Sequence, residues 1–173
     1  MFFRLIASAA MAGLMFTPQL RAGEWVAVAT TCAPDETSAG KFEADFGRFQ
    51  FRGNNTGSVD ARCNVTNPQD SLTSPNPGWG SLEISYDDPD GSLNDSQVSV
   101  TLRRVDKFTG NSFLLATFDS NSQAAGQQVR TIGFNHTFNF VNNGYYVGIS
   151  VRRSTTSVMP RIQRVRLLVP PVP

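Results

Sequence analysis

Two cysteines (Cys32, Cys63), one histidine (His136) and two lysines (Lys41, Lys107) are all that 173 residues contain of those types. Each scarcity closes a route. Two thiols and one distant imidazole are too few ligands for a closed zinc site. A single histidine with no Gly-x-Ser-x-Gly elbow and no evident acid partner in sequence argues against serine-hydrolase chemistry. The formal net charge is only +1, so there is no electrostatic footprint for nucleic acid. Beyond residue 22 no apolar run reaches the roughly 18 residues of a spanning helix. Apolar residues at sustained helical spacing are missing too.

What is present begins with Met1 to Ala22, MFFRLIASAAMAGLMFTPQLRA. Arg4 is a short positive region. Leu5 to Phe16 is an apolar stretch too short to cross a bilayer. Pro18 breaks it, and Ala22 is a small residue suited to cleavage. Residues 1–22 are therefore expected to be a signal peptide and 23–173 a single domain of about 150 residues, secreted or periplasmic. No membrane insertion is expected after cleavage. In an oxidising compartment Cys32 and Cys63 are expected to form one disulfide.

After residue 22 the apolar residues recur every second position, between clusters of Gly, Asn, Asp, Ser and Pro. Trp25–Thr31 opens the series. Phe49 and Phe51 share one face, as do Val59, Ala61, Cys63 and Val65. Leu82, Ile84 and Tyr86 alternate next, then Val98, Val100 and Leu102. The phase slips at Arg103-Arg104, which predicts a β-bulge. Phe134, His136, Phe138 and Phe140 share a parity, and Asn142-Asn143-Gly144 supplies a turn into Tyr145, Val147, Ile149 and Val151, so a hairpin is predicted there. Val165, Leu167 and Val169 close the chain. Eight or nine such strands with long connections at 33–46, 66–80 and 120–128 predict an all-β, antiparallel β-sandwich of jelly-roll-like order.

Four features carry candidate chemistry. Trp79, among Pro75, Pro77, Gly78 and Gly80, could expose a flat ring for stacking on a sugar; alternatively it plugs one end of the sandwich. Tyr146 falls on the outward parity of its strand. All 14 acids lie between Glu24 and Asp119, and the six bases beyond are all arginine, including Arg152, Arg164 and Arg166. Guanidinium groups bind carboxylate and sulfate bidentately, so these three are candidate ligands of an acidic polysaccharide. Cross-strand pairing with acids is the alternative. The run Asp87 to Asp95 offers Asp88, Asp90, Asn94 and Asp95 as oxygen ligands for calcium, or else an Asp/Gly turn. His136 reads either as a general base or as a core-edge histidine with one hydrogen bond.

Two resemblances follow from longer stretches. Trp79-Gly80-Ser81-Leu82 through Tyr86-Asp87-Asp88-Pro89-Asp90-Gly91, with Leu114 to Asn121 and Tyr145-Tyr146-Val147-Gly148-Ile149, resembles small exported bacterial proteins of unknown function. It brings no activity to carry over. Tyr145–Val151 followed by Arg161–Leu168 is loosely similar to the end of galactose-binding-like jelly rolls, a likeness of fold. The expectation is a secreted, monomeric, non-catalytic module binding extracellular or cell-surface carbohydrate, with no cofactor unless calcium is held. The alternatives are a structural or interaction protein of the envelope or matrix, and a glycan-cleaving enzyme, which needs two carboxylates about 5–10 Å apart in a cleft.

Overall fold

The structure is a computed structural model that describes residues 23–67 and 76–170. The expected signal peptide and most of the 66–80 loop's proline-rich stretch lie outside the described residues. Among those described, no helix is long and apolar enough to cross a membrane. The strands are β1 (Trp25–Val28), β2 (Ala33–Pro34), β3 (Phe42–Asp45), β4 (Arg48–Phe51), β5 (Gly57–Asn64), β6 (Ser81–Asp88), β7 (Ser96–Asp106), β8 (Ser112–Asp119), β9 (Gly126–Gly133), β10 (Asn143–Arg153) and β11 (Arg161–Leu168).

One sheet runs β3-β4-β11-β6-β9, the other β2-β5-β10-β7-β8. Along one edge of β11, β4 pairs with Arg161 and Ile162, and β1 takes over from Arg164 to Leu167. From β4 onward the pairing is nested: β4 with β11, β5 with β10, β6 with β9, β7 with β8. Every step along the chain from β4 to β11 changes sheet except the β7–β8 hairpin. That is a jelly roll, one long antiparallel hairpin rolled into two facing sheets.

The period-two pattern buries one face of each sheet. Val59, Ala61, Val98, Val100, Leu102, Val147, Ile149 and Val151 face Phe49, Phe51, Leu82, Ile84, Tyr86, Ile162, Val165 and Leu167 across the core. The predicted bulge is present, between Leu102 and Arg103 opposite β8. A second, between Ile162 and Arg164 opposite β6, lets both Ile162 and Val165 point inward despite odd spacing. Cys32 and Cys63 form the expected disulfide, with Cα atoms 4.3 Å apart. It ties the approach to β2 onto β5, a closure that contributes roughly 3–4 kcal/mol by restricting the unfolded chain.

The predicted hairpin from Phe134 is corrected by the structure. Residues 134–139 form no ladder. The edge of β6 is already filled by β9, from Ser81↔Gly133 to Asp88↔Gly126. The aromatic segment instead crosses the open end of the sandwich. Phe138 packs 4.7 Å from Tyr145 and 5.1 Å from Trp79, centroid to centroid, and Phe140 lies 4.9 Å from Tyr145. His136 joins this cap: its Nε2 is 3.1 Å from Tyr145 Oη, which also accepts the Asn139 N–H. Burial, then the charge of Arg104, hold the imidazole below its ordinary pKa.

Candidate functional site

The outward side chains of β5, β10, β7 and β8 form rows across the sheet. One row is Asn64, Tyr146, Arg103 and Leu114. The next is Arg62, Gly148, Thr101 and Thr117. A third is Asp60, Ser150, Ser99 and Asp119. Gly148 leaves a gap in the middle row; a Cβ there would come within 2.9 Å of Thr101 Oγ1. The gap floors a groove of about 250 Å³, walled by Tyr146 and Arg103 on one side and by Asp60, Arg62 and Asp35 on the other. A second hollow of about 430 Å³, bordered by Pro34, Glu36 and Thr37, shares Asp35 and Arg62 with it. The depression thus continues over the edge at β2.

Groups of both charges line the groove. Arg62 Nη2 lies 3.0 Å from Asp35 Oδ2, and its guanidinium carbon stands 5.9 Å from the centre of the Tyr146 ring, the outer limit of a cation–π contact. The Arg62 side chain is 63% exposed, so its ion pair is worth at most about 1 kcal/mol and yields easily. The Ser58 hydroxyl donates to Asp60 at 3.2 Å and lies 3.1 Å from Ser150 Oγ. Arg103 Nη1 donates to Ser112 Oγ at 3.2 Å, and that oxygen is 3.4 Å from Tyr146 Oη. Asp119, opposite Ser99 on β8 and outside the groove, accepts from Gln97 Nε2 with both its oxygens.

Of the side chains singled out from sequence, Tyr146 lies in this groove. Arg152 is on the same outer face, opposite Ser58 and Gln97, at the end remote from Tyr146. The other three are elsewhere. Trp79 offers no platform: it is 1% exposed, its Nε1 donates to Gly23 O at 3.0 Å, and Phe138 and Phe140 pack edge-on against it. It is the end plug, because its large apolar ring gains more from burial than from water. Arg164 and Arg166 do not stand beside the Tyr145 strand. Their strand, β11, belongs to the other sheet, next to β6 and β1. Arg166 Nε lies 2.9 Å from Glu83 Oε1, and its Nη1 lies 3.2 Å from Glu24; Arg164 lies 3.4 Å from the same Glu83 oxygen. The single-sign arginine patch is therefore dispersed by cross-strand pairing.

The Asp87–Asp95 segment is built as a capped turn. Asp90 accepts the N–H groups of Asp95 (2.7 Å) and Ser96 (3.1 Å) and the Ser96 hydroxyl. Although burial opposes it, those hydrogen bonds hold its carboxyl below the usual range. Asp88 is fully buried, and burial pushes its carboxyl above that range. Asp95 takes a hydrogen bond from the Ser154 hydroxyl at 2.6 Å, and Asn94 is exposed. Gly91, at φ +61°, lets the turn pack on the backbone of Ala124 and Ala125, where a Cβ would clash at 2.5 Å. Among the described residues no three His, Cys, Asp or Glu side chains converge as a metal site. Of the four residues read as calcium ligands, Asp88, Asp90 and Asp95 accept hydrogen bonds from Ser96, Asp95 and Ser154, and Asn94 faces solvent.

The groove residues that sequence reading missed are Gly148, Arg62, Arg103, Asp35 and Asp60. One signal was available: a glycine in the middle of an alternating strand marks a place where a side chain is excluded. The others are ordinary strand polar residues whose convergence depends on pairing between distant segments. Arg153 was missed as well. It is fully buried beside exposed Arg152, its guanidinium donates to the carbonyls of Gly53, Asn55 and Val158, and it lies 4.7 Å over the Phe51 ring. It fastens two loops at the sandwich end opposite the aromatic cap.

No protein-family model matches the chain, and no curated protein matches its sequence. Among solved structures it is similar to the low-affinity xylan-binding module CBM86 from Roseburia intestinalis, at 14% identity and TM-score 0.41, covering 84% of this chain and 95% of that one. It is similar also to the xylan-binding module CBM15, at 12% identity and TM-score 0.45, covering 87% of this chain and 100% of that one. A third is a family two carbohydrate esterase from Cellvibrio japonicus, at 13% identity and TM-score 0.38, with 87% of this chain covering 36% of the esterase. At these scores the likeness carries no functional inference.

Proposed function

We propose that this chain is an exported, non-catalytic module that binds a polysaccharide in the groove on the outer face of the β5-β10-β7-β8 sheet. One observation carries the reading: the side-chain gap at Gly148 opens a trough directly beside the Tyr146 ring, within a rim of hydroxyls, carboxylates and guanidiniums. Sugars present C–H faces that stack on a flat ring, and hydroxyls that both donate and accept. Asp35 and Asp60 accept, Arg62 and Arg103 donate, and Ser99, Thr101 and Ser150 do either. The trough continues past β2 rather than ending in a closed cavity, which suits a passing chain better than a small molecule enclosed on all sides. The disulfide suits an oxidising compartment.

The test is affinity electrophoresis of residues 23–173 through gels containing single soluble polymers, neutral and acidic. Retardation by at least one polymer, weakened about tenfold or more by Tyr146→Ala with an unchanged melting curve, is the expected result. Retardation indifferent to Tyr146→Ala would remove this groove as the site. No retardation by any polymer would favour an interaction protein of the envelope or matrix, and sedimentation at low and high salt would then test for self-association. Release of new reducing ends from a bound polymer would replace the binding module with a glycan-cleaving enzyme, for which Asp35 and Asp60 are the carboxylates in the groove.

A further inference from the structure

We propose, building on that reading, that the bound chain carries a carboxylate and that Arg103 receives it, so the module prefers a polysaccharide with uronic-acid-type or carboxylated substituents over the same backbone without them. The argument starts from the two guanidiniums that flank Tyr146. Arg62, on β5, has its charge met by Asp35 at 3.0 Å. Arg103, on β7, is the direct cross-strand neighbour of Tyr146, and its one hydrogen-bond partner among the described residues is the neutral Ser112 hydroxyl. No carboxylate among the described residues forms an ion pair with it.

That arrangement differs from that of the half-buried arginines of β11 on the opposite sheet, and is shared by half-buried Arg48 and Arg104, which also form no ion pair among the described residues. Arg161, Arg164 and Arg166 each face a carboxylate across the sheet. Arg103 is also partly buried, lines the groove, and keeps most of its five N–H donors uncommitted. A planar fork of this kind matches a carboxylate with two parallel hydrogen bonds, and does so better where water is partly excluded.

The groove is also polarised. Its acids, Asp35 and Asp60, lie toward β2 and β5, on the Arg62 side. Next to Arg103 the row continues with Tyr146 on one side and exposed Leu114 on the other. Asp119, two rows away, is occupied by Gln97. Ser112 Oγ links Arg103 to the hydroxyl end of the Tyr146 ring. A sugar stacked on that ring therefore meets a free positive group at the ring's hydroxyl end, and its neutral hydroxyls meet the acids on the other side.

Two matched polymer pairs test this: carboxymethylcellulose against hydroxyethylcellulose, and glucuronoxylan against its carboxyl-reduced form, each by affinity electrophoresis. Wild type is expected to bind the acidic member of a pair about tenfold more tightly. Arg103→Gln should erase that preference, so that the acidic and neutral members of each pair are retarded equally. Arg103→Lys, which keeps the charge and loses the fork, should retain part of it. Arg52→Gln, which removes an exposed charge outside the groove, should leave the preference whole. Equal binding of both members, sensitive to Tyr146→Ala, would overturn the carboxylate assignment and keep the groove. A preference that survives Arg103→Gln, or falls equally with Arg52→Gln, would overturn it too, pointing to net charge. Binding insensitive to Tyr146→Ala, or absent for all four polymers, would overturn the groove reading on which the assignment stands.

Discussion

On the outside of β11, Arg161, Arg164 and Arg166 each reach a carboxylate of a neighbouring strand; on the outside of β7 and β10, Arg103 and Arg152 reach none among the described residues. The five arginines are alike in type and in outward orientation. Their neighbours decide the difference. β11 lies beside β6, which supplies Glu83 and Asp87, and beside β1, which Glu24 precedes. β10 lies between β5 and β7, whose outward residues are chiefly hydroxyls, amides and arginines. On the first face charge is used to knit strands together. On the second it is left facing a gap at Gly148 and a tyrosine ring. An outward arginine in a sandwich therefore says little by itself, and the strand it lands beside says most.

The largest effect expected in breaking this comparison comes from an aromatic that belongs to neither face. Trp79→Ala empties the end of the sandwich and should cost about 3–5 kcal/mol in urea unfolding. A loss under about 1 kcal/mol would mean the ring is not the plug the burial indicates. Next is Glu83→Gln, which strips the shared partner from Arg164 and Arg166. It should cost about 2 kcal/mol, the scale of hydrogen bonds to charged groups, and lengthen retention on a cation-exchange resin at low salt. Unchanged stability and retention would show that the knitted face is knitted only on paper. Tyr146→Ala sharpens the contrast from the other side: stability within about 0.5 kcal/mol of wild type, with polymer retention weakened. The smallest effect leaves both faces alone. The pKa of His136 is lowered in the folded state, so the unfolded chain takes up a proton first as pH falls. The stability tied to its neutral form is present above about pH 6.5 and is lost as pH drops below that value. Melting temperatures of His136→Gln should therefore fall less steeply than wild type between pH 7 and 5; parallel curves would remove His136 as a contributor.

Much of the fold can be read from alternation, since a strand with one face in the core must repeat every second residue. β5, β6, β7, β10 and β11 all announce themselves this way, and Arg103-Arg104 marks the bulge. β9 does not, because its Gln127, Gln128, Arg130 and Thr131 lie on an edge strand with little to bury. The phenylalanines at 134, 138 and 140 imitate a strand, because a strap crossing a core end also sends alternate side chains inward. For the site, Tyr146 and Arg152 are legible as outward residues on a strand. Arg62, Arg103 and Asp35 are not, because they come from strands that meet only through long-range pairing.

From the sequence alone follow the β class, the inward and outward parity of most strands, and the pairing of the two cysteines, because side-chain period and thiol chemistry are local properties. Which sheet each strand joins was decided only by the tertiary structure. That choice paired Arg164 and Arg166 with Glu83, buried Trp79 under Phe138, turned Asp88 and Asp90 into a capped turn, and left Arg103 beside Tyr146 without a counter-charge. Backbone pairing between segments up to about 140 residues apart sets who faces whom, and no local pattern encodes that.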